Sequence, residues 1–157
     1  MEVVVKNLVK HFGKTRAVDD LSFSFASGNI FGFVGPNGAG KTTTIKILAT
    51  MLDPSGGDAY IDGHSVTEYP EKVRKRLGYM PDGLPAHADM TVHDYIDFYA
   101  RAAGISHKKR KSVVEGVEEF TNLLGIREKF LKALSKGMKQ RVSLARANTA
   151  PLCRLLS

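Results

Sequence analysis

The residues best suited to chemistry lie between Phe31 and Thr44, where an apolar β-branched and aromatic run ends in Gly35-Pro36-Asn37-Gly38-Ala39-Gly40-Lys41-Thr42-Thr43. Gly35, Gly38 and Gly40 allow the backbone to turn tightly and approach an anion, and the loop N–H groups then converge at the start of the helix that follows. Lys41 is placed to reach β- and γ-phosphates, and the Thr42 hydroxyl suits Mg²⁺. The spacing GxxxxGK[ST] is matched in full; with glycine at about 7% of residues, a chance match in a chain this long arises roughly once in a few hundred sequences. The plain alternative is a glycine turn beside a surface lysine. The strand pattern before the loop and the helix pattern after it favour the phosphate cradle.

Those chemical groups need a scaffold, and the sequence supplies its pieces in order. Glu2 to Val9 reads as a strand leading into a turn at His11 to Lys14, and Leu21 to Phe25 alternates apolar with small polar residues as a half-buried strand does. Ile30 to Val34 is expected as the strand that feeds the loop. The helix after it spans Thr43 to Met51, stopped by Asp53-Pro54-Ser55-Gly56-Gly57, and a short strand covers Asp58 to Gly63. A basic helix at Tyr69 to Arg76, a buried strand at Leu77 to Met80 and a proline-bounded loop at Pro81 to Pro85 follow.

Beyond that loop the pattern turns helical. Thr91 to Ala103 has Thr91 as N-cap with Asp94 at the third helical position, and Tyr95, Phe98 and Tyr99 on one side. Ser112 to Leu124 is a second helix with Gly125 as its stop, and the basic run His107 to Lys111 before it is either a solvated helix start or a contact for acidic lipid or nucleic acid. Ser135 is the N-cap of a third helix, with Val142, Leu144 and Ala145 inward. The end, Asn148 to Ser157, has no period and contains Pro151.

Composition narrows the class. The 157 residues, 43% hydrophobic and 25% charged, suffice for a sizeable core, and no apolar run approaches the roughly 20 residues of a membrane-spanning helix. The start Met1-Glu2-Val3 shows no secretory pattern, which together points to a soluble, cytoplasmic chain. One cysteine, Cys153, excludes an internal disulfide framework and a cysteine-based zinc cluster. The net charge of +7 favours polyanions without choosing among nucleotides, nucleic acid and anionic membrane.

Taken together, the chain resembles the first two-thirds of an ATP-binding cassette (ABC) transporter ATPase subunit, over residues 2 to about 147. The Walker A loop is Gly35 to Thr43. Leu134-Ser135-Lys136-Gly137-Met138 stands for the signature motif, usually Leu-Ser-Gly-Gly-Gln, about a hundred residues downstream. Phe12, in Lys10-His11-Phe12-Gly13, matches the aromatic on which such proteins stack adenine, a contact of about 1–3 kcal/mol; as a bare residue it is equally an ordinary core or turn aromatic. Gly78-Tyr79-Met80-Pro81-Asp82 matches the loop that normally ends in glutamine.

The resemblance implies an α/β P-loop ATPase with an N-terminal antiparallel β subdomain, the core and β portion covering about residues 1–87, a helical signature subdomain about 88–147, and an atypical tail 148–157. It implies ATP and Mg²⁺ as ligands, with Phe12, Gly35, Asn37, Gly38, Ala39, Gly40, Lys41, Thr42 and Thr43 binding nucleotide and Lys41 serving catalysis. Thr42 and Asp82 would hold Mg²⁺. Ser135, Lys136, Gly137 and Met138 would cap the nucleotide of a second cassette in trans, Ser135 also being a plain N-cap. Asp82 replaces the usual Gln; it is either a magnesium and catalytic ligand of shorter reach or a loop-capping aspartate. Together with Lys-Gly-Met in the signature, it resembles cassettes of exporter-type permeases for drug, antibiotic or sodium efflux. The implied partners are a membrane permease subunit and a second ATPase subunit, with no nucleic acid, at the inner face of the cell membrane. A non-transport cassette protein acting on nucleic acid or ribosomes is the alternative. In the family an apolar strand ending in Asp-Glu follows, and here Asn148-Thr149-Ala150-Pro151 stands instead. These residues therefore read as a truncated or frame-shifted cassette or a deliberately short piece, lacking the Walker B Asp and the catalytic Glu and inactive alone.

Overall fold

The structure is a computed structural model that describes residues 1–28, 30–81, 83 and 89–149, with the backbone of 154–156. It divides into two compact units, Met1–Leu77 and Gly78–Ser157. Asp82, Pro85 and Cys153 lie outside the described residues, so the Pro81 to Pro85 loop is described only in part.

In the first unit, β1 (Glu2–Phe12), β2 (Thr15–Ala26), β3 (Gly56–Ile61) and β4 (His64–Ser65) form an antiparallel sheet in the order β2-β1-β3-β4. Val3, Val5 and Leu8 of β1 are all buried, which strict alternation forbids, because the ladder slips between Val5 and Leu8. Asn7 at φ 48 and Asp20 at φ 47 mark the irregularity, and the Asn7 Nδ2 donates to Asp20 Oδ1 at 2.9 Å. On the other flank Gly57, at φ 68, lies so close to the Asn7 carbonyl that a Cβ would collide with it. β1 also runs further than its sequence pattern suggests: His11 and Phe12 pair with Arg16 and Thr15, leaving only Gly13 and Lys14 as the turn.

The expected strand Ile30 to Val34 does not form. Residues 30–36 carry no strand, and Ile30 and Val34 are fully exposed. β-propensity is realised only when neighbouring backbones and side chains complete a sheet, and a run apolar on both faces needs partners on both edges. Among the described residues no strand pairs with it. Phe31 instead stacks on Phe25 and Phe23, with ring centroids 4.7 and 5.3 Å apart.

α1 (Lys41–Leu48) starts and ends earlier than the Thr43 to Met51 expectation. Thr50 takes φ 56, its N–H donates to the Ile47 carbonyl and that of Met51 to Lys46, so the helix closes in a Schellman turn before Asp53. α2 (Pro70–Arg74) and β5 (Leu77–Tyr79) follow, the latter short and largely buried as its sequence suggests.

The second unit is built from α3 (Val92–Ala102), α4 (His107–Phe120) and α5 (Lys136–Asn148), with two 3₁₀ turns at Leu124–Ile126 and Leu131–Ala133. Tyr95, Ile96, Val114, Leu123, Val142 and Ala145 form its core. Thr91 caps α3: its Oγ1 accepts from the Asp94 N–H at 3.1 Å and donates to Asp94 Oδ2 at 2.7 Å. α4 absorbs the basic run as its first turns, and it ends at Asn122, φ 54, rather than at Gly125. Leu123 N–H bonds the Glu118 carbonyl across that turn, and Gly125 sits inside the next 3₁₀ turn. The tail also differs from expectation, since the backbone of β6 (Arg154–Leu156) pairs with β5.

Candidate functional site: two helix starts

The phosphate loop is shaped by two glycines, Gly38 at φ 87 and Gly40 at φ 80. Gly40 is the N-cap of α1 and packs against β2 so closely that a Cβ would fall on the Ala17 carbonyl oxygen. The Ala39 N–H donates to the Pro36 carbonyl at 3.3 Å, and the Gly40 carbonyl accepts from both the amide and the hydroxyl of Thr44, at 2.8 and 3.0 Å. These bonds fix the turn from within.

What the loop leaves open is the first turn of α1. Gly40 has no side chain to cap it, and no acidic residue stands in that turn, so its N–H groups keep their partial positive charge directed outward. Lys41 Nζ adds a full charge, donating to the carbonyls of Gly35 and Pro36 at 2.6 and 2.7 Å. Asn37, Gly38 and Ala39 are exposed, as is Thr42 at the helix start, and Thr43 is half-buried. A polyphosphate fits this set: uncompensated donors, one ammonium and an exposed hydroxyl. The Thr42 hydroxyl would offer Mg²⁺ one protein ligand, in keeping with an ion that binds through few of them, and among the described residues no cluster of three or more His, Cys, Asp or Glu could hold a metal alone.

Phe12 stands at the last position of β1, half exposed, with Lys10 Nζ 5.3 Å from its ring centroid. Its partner Thr15 opens β2, and two residues later Ala17 touches Gly40, so one hairpin end carries both the aromatic and the backbone contact that holds the loop.

The second helix start is differently made. Ser135, in extended backbone at φ −65 and ψ 165, caps α5, its Oγ accepting from the Met138 N–H at 3.3 Å. Ser135, Lys136 and Gly137 face solvent, whereas Met138 packs against the core of the helical unit. Leu134 is buried in the same core and anchors the cap from the other side.

A cluster that sequence reading missed supports the segment leading to Ser135. Glu118 of α4 is fully buried; its Oε1 lies 2.7 Å from His93 Nδ1, and its Oε2 3.7 Å from Arg127 Nε. Arg127 Nη2 is also 3.0 Å from His93 Nδ1, and the His93 N–H donates to the Arg127 carbonyl at 2.9 Å. The pattern on α4 offers no signal for it, because both partners are distant in sequence. On the opposite side Arg146 of α5 lies over the Tyr99 ring at 4.1 Å and beside the Tyr95 hydroxyl, whose pKa burial pushes up to about 12. Burial works against ionised Asp97, yet hydrogen bonds from Arg110 and Arg101 outweigh it and hold that carboxyl below its ordinary range.

A glycine-capped phosphate loop and a serine-capped second helix start are what an ATP-binding cassette requires, and residues 18–152 match the family model described as ABC transporter. The chain belongs to that family. Over 144 residues it is 37% identical to the daunorubicin/doxorubicin resistance ATP-binding protein DrrA of Streptomyces peucetius, covering 91% of this chain and 43% of the relative. It is 34% identical to the Nod factor export ATP-binding protein I of Ralstonia nicotianae, covering 91% and 44%. A solved structure described as the ATP binding subunit of an ABC transporter superposes with a TM-score of 0.80 at 27% identity, over 93% of this chain and 61% of that one. The chain thus spans less than half the length of those two relatives.

Proposed function

We propose that the chain is the nucleotide-binding portion of the ATP-binding subunit of an exporter-type transporter. The observation that carries this reading is the start of α1, a helix N-terminus with no side-chain cap, no acid in its first turn and Lys41 beside it. In this reading the amides of Gly38 to Thr43 hold the phosphates, Lys41 exchanges its loop carbonyls for phosphate oxygens, and Phe12 stacks on adenine. Thr42 would hold Mg²⁺, with Asp82, which lies outside the described residues, as the second candidate ligand from the sequence. When bound, Mg-ATP supplies the phosphoryl group whose transfer to water drives transport. Residues up to about 87 form the nucleotide-holding portion and about 88–147 present Ser135, Lys136 and Gly137 to the nucleotide of a second ATPase subunit.

Drug resistance and Nod factor export in the names of two relatives support an export role; a membrane permease partner at the inner face of the membrane belongs to the same proposal. Among the described residues no helix is long and apolar enough to cross a membrane. No aspartate or glutamate follows Glu128 in the sequence, so these 157 residues hold no general base at the Walker B position. Calorimetric titration with Mg-ATP tests the reading: heat is expected from the native chain and lost in Lys41→Ala, and equal heats from both would refute it.

A further inference from the structure

α4 carries its charges against its own dipole. Lys108, Lys109, Arg110 and Lys111 occupy the first turns, where the helix is already positive, no acid stands in the first turn, and Ser106 makes no side-chain cap bond. Glu115, Glu118 and Glu119 occupy the C-terminal half, where no basic residue stands in the last turn. Both placements oppose the macrodipole, and Glu115 and Glu119 are like charges at a spacing that destabilises a helix. α3 has the ordinary arrangement, Asp94 in the first turn and Arg101 in the last.

Inward-facing members of this set are accounted for, since Arg110 is paired with Asp97 at 2.6 Å and Glu118 with His93. The outward ones are not: none of Lys108, Lys109, Lys111, Glu115 and Glu119 makes an ion pair among the described residues. Lys108, Ser112, Glu115 and Glu119 follow at spacings of four, three and four, which places them on one outer ridge. Gly116 lies beside that ridge with nothing within 4 Å of its Cβ position, and Phe120, 76% exposed, closes its acidic end.

A ridge that is basic at one end and acidic at the other is complementary to itself when a second copy lies antiparallel. The two-fold then falls between Val113 and Val114 and sets Lys108 opposite Glu119 and Ser112 opposite Glu115, each twice, while Gly116 beside the ridge presents no side chain to the partner helix. We propose that α4 is a self-association surface, pairing antiparallel with α4 of a second copy of this chain. This goes beyond the proposed function, because it uses neither the phosphate loop nor Ser135. One helix pair buries less than a standard interface of roughly 1,200–2,000 Å², so the pairing is of the weak, salt-sensitive class. An acidic membrane would satisfy only the basic end and would repel Glu115 and Glu119, which favours the second copy as occupant.

Charge reversal tests this on the full chain. In Lys108→Glu/Lys109→Glu both ends of the ridge become acidic; in Glu115→Lys/Glu119→Lys both become basic. Each variant alone should self-associate at least about tenfold more weakly than the native chain, while an equimolar mixture should recover native strength, because only the mixed pair is complementary at both ends. Energy transfer between copies labelled with donor and acceptor at low salt reads this directly. A mixture that associates no better than its components would overturn the proposal. So would variants that self-associate as the native chain does, or a native chain that shows no transfer at all. Binding to anionic vesicles lost on lysine reversal, without energy transfer between native copies, would assign the ridge to lipid instead.

Discussion

Two helices of this chain carry the residues proposed to meet phosphate, and they begin in opposite ways. α1 has a left-handed glycine at its N-cap and leaves its first amides without a side-chain acceptor, while α5 has a serine whose hydroxyl already accepts one of them. Among the described residues the first start has no side-chain acceptor for its amides, and the second has one. In the proposed reading, this difference separates a start that binds nucleotide on its own from one that adds contacts to a nucleotide held elsewhere.

The comparison assumes that each start is held rigidly by its scaffold, and the largest effect comes from removing that support for α5. Glu118→Ala empties a fully buried position and removes the carboxylate hydrogen-bonded to His93, and unfolding of the helical unit in denaturant should show a loss of about 3–5 kcal/mol from the cavity and the lost bond together. A loss under 1 kcal/mol would mean that the cluster does not hold the segment before Ser135. Next comes the α1 start itself. Gly40→Ala meets the Ala17 carbonyl and an unfavourable left-handed backbone, so it should cost about 2–3 kcal/mol and abolish nucleotide binding. Retained affinity would show that the loop does not need its close approach to β2.

Ser135→Ala sharpens the contrast from the other side. It should cost about 1 kcal/mol, the worth of an ordinary N-cap, and leave nucleotide affinity of the single chain unchanged. The smallest effect is a pH dependence. Asp97 titrates below its unfolded value, so its contribution to stability is present above the unfolded carboxylate range and is lost as pH falls through the lower folded value. The urea midpoint should therefore drop below about pH 4, and Asp97→Asn should flatten part of that drop. An identical acid profile in the variant would remove Asp97 as a cause.

The same contrast explains what could be read in the sequence. The phosphate loop, Thr91 and Ser135 were legible because each depends on residues within a few positions of one another. Glu118 was not, for its burial is licensed by His93 and Arg127 from other elements. Ile30 to Val34 has every intrinsic mark of a strand, yet a strand exists only with a neighbour, and among the described residues none pairs with it. The bulge at Asn7 was hidden likewise, since it answers to Asp20 and Gly57 across two different ladders. Helix ends slipped for a simpler reason: Thr50 and Asn122 adopt the left-handed cap that the pattern assigns to glycines further on.

If nucleotide is held by the α1 start and by no group at the α5 start of the same chain, the two regions respond differently to it. Amide chemical shifts, followed by NMR as Mg-ATP is added, test it most directly. Shifts are expected to concentrate at Gly35 to Thr43 and at Phe12, with Ser135 to Met138 unmoved. Shifts at Ser135 to Met138 that saturate while Gly38 to Thr43 stay in place would contradict it.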